Sequence, residues 1–181
     1  MDAKPDVTAD ETTLRDEARA PFEDYADEPR PVGSYGVLSA IFGVAVGGSF
    51  LALHAAGKRL PSRIAAGDVV LAGVATHKLS RLLAKDKVTS FLRAPFTEYQ
   101  RPGGPGEVEE KPRGSGLRYA TGELLVCPYC IGLWVATAYG LGHVAAPRAT
   151  RFGGFVLTAL TISDSLQIAY KAAEERGAVG E

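Results

Sequence analysis

Apolar and polar residues fall into long blocks along this chain instead of alternating. Two of the blocks, Tyr35 to Ala56 and Leu124 to Ala146, contain no Asp, Glu, Lys or Arg. A charge-free apolar stretch of roughly 20 residues is long enough to cross about 30 Å of hydrocarbon as a helix, so both runs predict membrane spans. A further block, Phe152 to Tyr170, is interrupted by a single charge, Asp164, and predicts another. The segment Ile64 to Leu83 is less clear-cut: Asp68 lies near its start and His77, Lys78 and Arg81 near its end. Its apolar part alone would reach only about 20 Å at 1.5 Å per residue. Continued to Leu83, with Lys78 and Arg81 snorkelling toward the headgroups, it spans. The pattern therefore predicts an all-α fold, a four-helix transmembrane bundle over residues 34–171.

The flanks are polar. Residues 1–33 are acidic and poor in large apolar side chains, too little to offset the ordering entropy, and predict a disordered tail. Residues 172–181 predict a short polar C-terminal tail, and the glycine- and proline-rich stretch 97–118 a flexible loop. From Leu79 to Leu92, Leu82, Leu83, Val88 and Phe91 are interleaved with Arg81, Lys85, Lys87 and Arg93. That spacing predicts an amphipathic cytoplasmic segment lying on an anionic membrane surface.

Charge adds orientation. The 20 basic and 21 acidic residues nearly cancel, which argues against nucleic acid as a partner. Under the four-span reading, 15 of the 20 Lys and Arg fall on the side of the two tails and the long loop. The positive-inside rule then places both termini in the cytoplasm of a bacterial inner membrane, as a multi-pass protein. The acidic, polar start lacks the basic and apolar regions of a secretory signal, so the first span is expected to be retained. The partner expected first is the lipid bilayer, with a second copy or another membrane protein next.

Small residues mark packing faces. Gly43 and Gly47 form a G-x-x-x-G pair on one helix face, and Gly132, Ala136 and Gly140 recur every four residues on another. Such faces let helices approach closely in lipid, within the chain or between copies.

Three separated strings carry a resemblance: Ala75-Thr-His-Lys-Leu-Ser-Arg81 running on through Lys85–Thr89 and Arg93–Phe96; Gly122-Glu-Leu-Leu-Val-Cys-Pro-Tyr-Cys-Ile-Gly-Leu-Trp134; and Ser163-Asp-Ser-Leu-Gln167. Over residues 35–171 the chain resembles the YjcA-like family of small bacterial integral membrane proteins, a domain of unknown function with one member associated with sporulation in Bacillus. The resemblance implies membrane architecture and brings no chemistry with it.

Candidate chemistry is sparse. Cys127 and Cys130, the only cysteines, form a Cys-Pro-Tyr-Cys tetrad. Pro128 suits the first turn of a helix, and a helix N-terminus stabilises a thiolate, so the pair is a redox candidate. With His77 and a further ligand the two thiolates could instead hold a metal. Depth matching places His77, Lys78, Arg81, Asp164 and Gln167 at a similar level, an intramembrane polar cluster in which Asp164 pairs with one of the cations. Such a pair could fix helix register or line a proton or ion path. His54, Asp68 and His143 could approach one another at the opposite end. No P-loop, G-x-S-x-G, H-E-x-x-H or dinucleotide fingerprint occurs. The expected function is therefore a non-enzymatic structural or interaction module without a cofactor, with membrane thiol oxidoreductase or metal-binding protein and small ion-transport element as alternatives.

Overall fold

The computed structural model describes residues 30–178 together with Tyr25. The expected disordered tail, apart from Tyr25 and residues 30–33, lies outside the described residues. Among the described residues six helices and one hairpin follow in order: α1 (Val32–Ala55), α2 (Ala66–Ala84), α3 (Ser90–Arg93), β1 (Thr97–Pro102), β2 (Val108–Pro112), α4 (Gly116–Val126), α5 (Pro128–Ala145) and α6 (Pro147–Ala178). The protein is mostly helical, as the blocks predict. Two helices, α1 and α6, are individually long and apolar enough to cross a membrane. The α4–α5 pair qualifies only when its two parts are taken together. The helix α2 does not qualify, because Asp68, Lys78 and Arg81 interrupt its 19 residues. It is instead the central helix, packed against both α5 and α6.

Two prolines set the corners. The residue before a proline is pushed out of the helical region, because the ring collides with its backbone. Cys127, just ahead of Pro128, accordingly sits at φ −105°, ψ 106°, ending α4 and opening α5. The two helices meet there at 81°. The predicted third span is thus corrected at its start: Leu124, Leu125 and Val126 belong to α4. Ala146, ahead of Pro147, similarly separates α5 from α6. The helix α6 then runs for 32 residues, so most of the expected C-terminal tail is helical.

The glycine- and proline-rich stretch predicted as a loop is an antiparallel hairpin. Thr97 pairs with Pro112 and Pro102 with Val108, with a bulge between Tyr99 and Arg101. The loop signals hold at the tip, where Gly106 takes φ +76°, and in the connection after β2, where Gly114 takes φ +82°, a backbone geometry that favours glycine. The two prolines stand at strand ends, where a missing N–H is tolerated. The amphipathic segment is corrected too. It is not one helix: α2 stops at Ala84, and the following turn bonds to the hairpin through Lys87 N–H to Gly106 O (2.9 Å) and Val108 N–H to Lys85 O (2.9 Å).

Among the described residues, the buried apolar side chains are Ala75, Ala84, Val108, Ala120, Ile131 and Val135. Ala84, Ile131 and Val135 form one cluster with Leu79, Leu83 and Trp134 around it. The core therefore lies at the hairpin end, where α2 finishes and α5 begins.

Candidate functional site

At the hairpin end the chain buries a charge. Arg93 has no exposed surface, and every nitrogen of its guanidinium is used. Nε donates to Glu110 Oε2 (2.5 Å), Nη1 to Leu83 O (2.7 Å) and Thr89 Oγ1 (2.9 Å), and Nη2 to Asp86 O (2.9 Å). The last carbonyls of a helix lack partners within it. Arg93 supplies one for α2 through Leu83, and the Thr89 hydroxyl supplies another through Leu82. One side chain thus joins the end of α2, the turn after it, α3 and β2.

The neighbouring cations are matched in the same way. Arg81 binds Glu107 (2.5 Å) and Lys85 binds Glu109 (3.0 Å). The Lys85 amine holds the Glu109 carboxyl below the usual carboxylate range, by hydrogen bond first and charge second. The string Glu107-Val-Glu-Glu110 on the hairpin therefore neutralises three of the four cations that predict an anionic-lipid surface. A signal was present in the sequence: three acids stand against three bases across a glycine-rich turn.

Two ion pairs tie α2 to α6. Asp68 accepts two bonds from Arg151, at 2.8 and 2.6 Å. Lys78 donates to Asp164. The helices run parallel, because both partners advance in the same chain direction. The two pairs are ten residues apart on α2, about 15 Å along the axis. Their polarity is reversed, with the acid on α2 at one end and on α6 at the other. Of the other members of the predicted polar cluster, Arg81 turns to Glu107, and Gln167 donates to Ser163 Oγ (3.3 Å). His77 lies on the exposed face of α2 with Val69, Val70 and Gly73. Among the described residues no three His, Cys, Asp or Glu side chains group around a common point, which covers both metal sets considered, Cys127–Cys130–His77 and His54–Asp68–His143.

The predicted glycine faces divide. Gly132 lies beside Ser80 of α2, where an added methyl group would stand 3.6 Å from Ser80 Oγ. Ala136 and Gly140 are exposed, and a methyl group added at Gly43, Gly47 or Gly140 would meet no other part of the fold within 4 Å. The tightest approach to backbone is at Gly122, where a methyl group would come within 2.6 Å of Phe96 O and 3.0 Å of Pro112. This glycine, unremarked in the sequence pattern, seats α4 on the hairpin.

At the elbow Cys127 and Cys130 are joined by a disulfide. Cys127 Sγ caps α5 by accepting the Cys130 N–H (3.2 Å). Both cysteines line a groove of about 640 Å³ between α1, α4 and α5. Its polar members include Tyr35 and Glu123, with the Tyr35 hydroxyl donating to the Glu123 carboxylate. Its apolar wall includes Phe42 and Trp134, whose rings meet edge to face at 4.9 Å. Neither Tyr35 nor Glu123 stands out in the sequence, since their contact bridges 88 positions.

A family model described as a protein of unknown function, DUF1360, matches residues 71–170. The chain belongs to the DUF1360 family. The matched residues contain Arg93, the hairpin, the elbow and the Lys78–Asp164 pair, and begin after α1 and Asp68. Similar proteins include UPF0713 protein YngL of Bacillus subtilis, 37% identical over 76 residues, 41% of this chain and 56% of that one. Sporulation protein YjcA of the same organism is 33% identical over 87 residues, 46% of this chain and 74% of that one. The chain thus spans little more than half the length of YngL. No solved structure matches.

Proposed function

We propose that the protein is an integral membrane module of the bacterial cytoplasmic membrane, with both termini and the hairpin on the cytoplasmic face. In this reading it serves as a structural or interaction element of the envelope, and the printed name of YjcA extends the proposal to sporulation. The observation that carries it is the outward face of α1, where Val37, Ile41, Val44 and Leu51 are 47, 47, 76 and 72% exposed. A row of large aliphatic side chains in contact with water would be costly, whereas in hydrocarbon it is solvated. The pairing of Asp68 with Arg151 and of Lys78 with Asp164 supports α2 as a span shielded by α5 and α6, completing four. The same pairing favours a register clamp over an ion path, because Asp164 already has its cation.

The test is cysteine accessibility in membranes, in a Cys127→Ser, Cys130→Ser background. Gly104→Cys and Gly177→Cys should react with a membrane-impermeant maleimide only from the cytoplasmic side, and Lys58→Cys and Arg148→Cys only from the other. Labelling of all four from one side would overturn the topology.

A second reading is favoured by the disulfide at the groove: the Cys127–Cys130 pair is a thiol–disulfide couple, placed at a helix N-terminus that stabilises the thiolate. Reversible two-electron reduction of the purified protein, absent in Cys130→Ser, tests it.

A further inference from the structure

We propose that Cys127 and Cys130 exchange two electrons with a lipid-soluble quinone seated in the groove between α1, α4 and α5. The proposal rests on the thiol–disulfide reading and adds its redox partner. Both cysteines are part of the groove wall, so a molecule lying in it is next to the couple. The volume, about 640 Å³, falls within the range of small-molecule sites. Its character is graded along α1. Tyr35 and Ser39 stand in the first turns, with Glu123 bonded to Tyr35, and Phe42 follows a turn later against Trp134. With α1 spanning, as in the proposed membrane arrangement, the groove opens at the boundary between headgroups and hydrocarbon.

That grading selects among oxidants. A water-soluble thiol peptide carries carboxylates and would want cations, but the lining holds one carboxylate, Glu123, and no Lys or Arg. A planar, uncharged head group on a hydrocarbon tail matches both ends of the groove, with aromatic surface to lie against at Phe42 and Trp134. The exchange balances without a further reagent. Two S–H bonds break and one S–S bond forms. The two electrons and two protons released convert the quinone's two carbonyls to the hydroxyls of the quinol. Oxidation of the quinol by the disulfide is the same step reversed, and the relative potentials set the direction.

The experiment uses the full chain, reduced and reconstituted in phosphatidylcholine vesicles, with decylubiquinone added under nitrogen. Cysteine state is read by maleimide mass shift, and quinol by absorbance. The expected result is one quinol per protein and loss of both free thiols, with Cys130→Ser giving no quinol. Ser39→Trp, which fills the groove without touching the couple, should slow the quinone reaction about tenfold while oxidation by the water-soluble aromatic disulfide dithionitrobenzoate stays within about twofold. Leu133→Trp is the second groove variant, used if Ser39→Trp changes the thermal midpoint. Oxidation by the aromatic disulfide but not by quinone would overturn the quinone site and leave the thiol couple standing. An equal quinone rate in both groove variants would also overturn the site. Failure of both oxidants would overturn the couple itself.

Discussion

The hairpin end and the outer faces of the helices follow opposite rules. At the hairpin end a guanidinium is fully buried, ringed by carbonyls and a carboxylate, and the surrounding charges are matched in pairs. Along α1 no residue is buried, and Val37, Ile41, Val44, Phe50 and Leu51 are exposed. A buried charge persists only when its hydrogen bonds are complete, and an exposed aliphatic row calls for an apolar surrounding, lipid or another protein face. The contrast fits a chain that meets two solvents, as the proposed membrane function requires. In that reading the polar cap closes over the helix ends in water, and the helices present their apolar sides to lipid.

The largest expected effect breaks the cap. Arg93→Met leaves Glu110 buried, 6% exposed, without its cation, and should destabilise by about 3–5 kcal/mol in detergent thermal unfolding. Arg93→Met with Glu110→Met should recover much of that loss, since no unpaired charge remains. The corresponding attack on the helices is Val44→Lys in the middle of α1. It should cost about 2.5–3.5 kcal/mol of insertion free energy, read as loss of the membrane-inserted fraction. In a water-soluble protein the same change at a position 76% exposed would do almost nothing.

Gly122→Ala sharpens how closely the cap is held. The added methyl meets Phe96 O, a backbone atom that cannot rotate away, so α4 must lift from the hairpin, at about 1–3 kcal/mol. Lys78→Met with Asp164→Asn, run as a double-mutant cycle on thermal stability, should show a coupling of about 0.5–1.5 kcal/mol, the range of polar contacts between membrane helices. A coupling of zero would remove the register clamp.

Much of the helical layout was legible because block hydropathy reports directly on solvent. The hairpin was not. Its strands are short and mostly exposed, so their residues carry little apolar alternation, and Gly103, Gly104 and Gly106 dominate the local composition although they shape only the tip. Depth arithmetic placed Lys78 and Asp164 at one level, and the structure joins them, but that arithmetic has no azimuth. It could not tell that His77, one residue earlier, faces outward. Arg93 was read with the exposed cations because a run of bases looks alike whether it faces lipid or carboxylates. Only the pairing with Glu107, Glu109 and Glu110 across the turn distinguishes the two.

The smallest effect concerns pH. The folded Glu109 carboxyl titrates below its ordinary value of 4.5, because Lys85 favours the ionised form. Its contribution is therefore complete above that value and is lost as pH falls through the lower folded one. Glu109→Gln should lower the thermal midpoint slightly at pH 6–7 and converge with the parent toward pH 3, flattening the acid limb, as followed by thermal midpoints between pH 3 and 7.

The account rests on lipid being the solvent of α1 and α6. Membranes from cells expressing the full chain, stripped with alkaline carbonate and centrifuged, test this most directly. The protein should remain entirely in the pellet and be released only by detergent. A monomeric, detergent-free protein in the supernatant would contradict it.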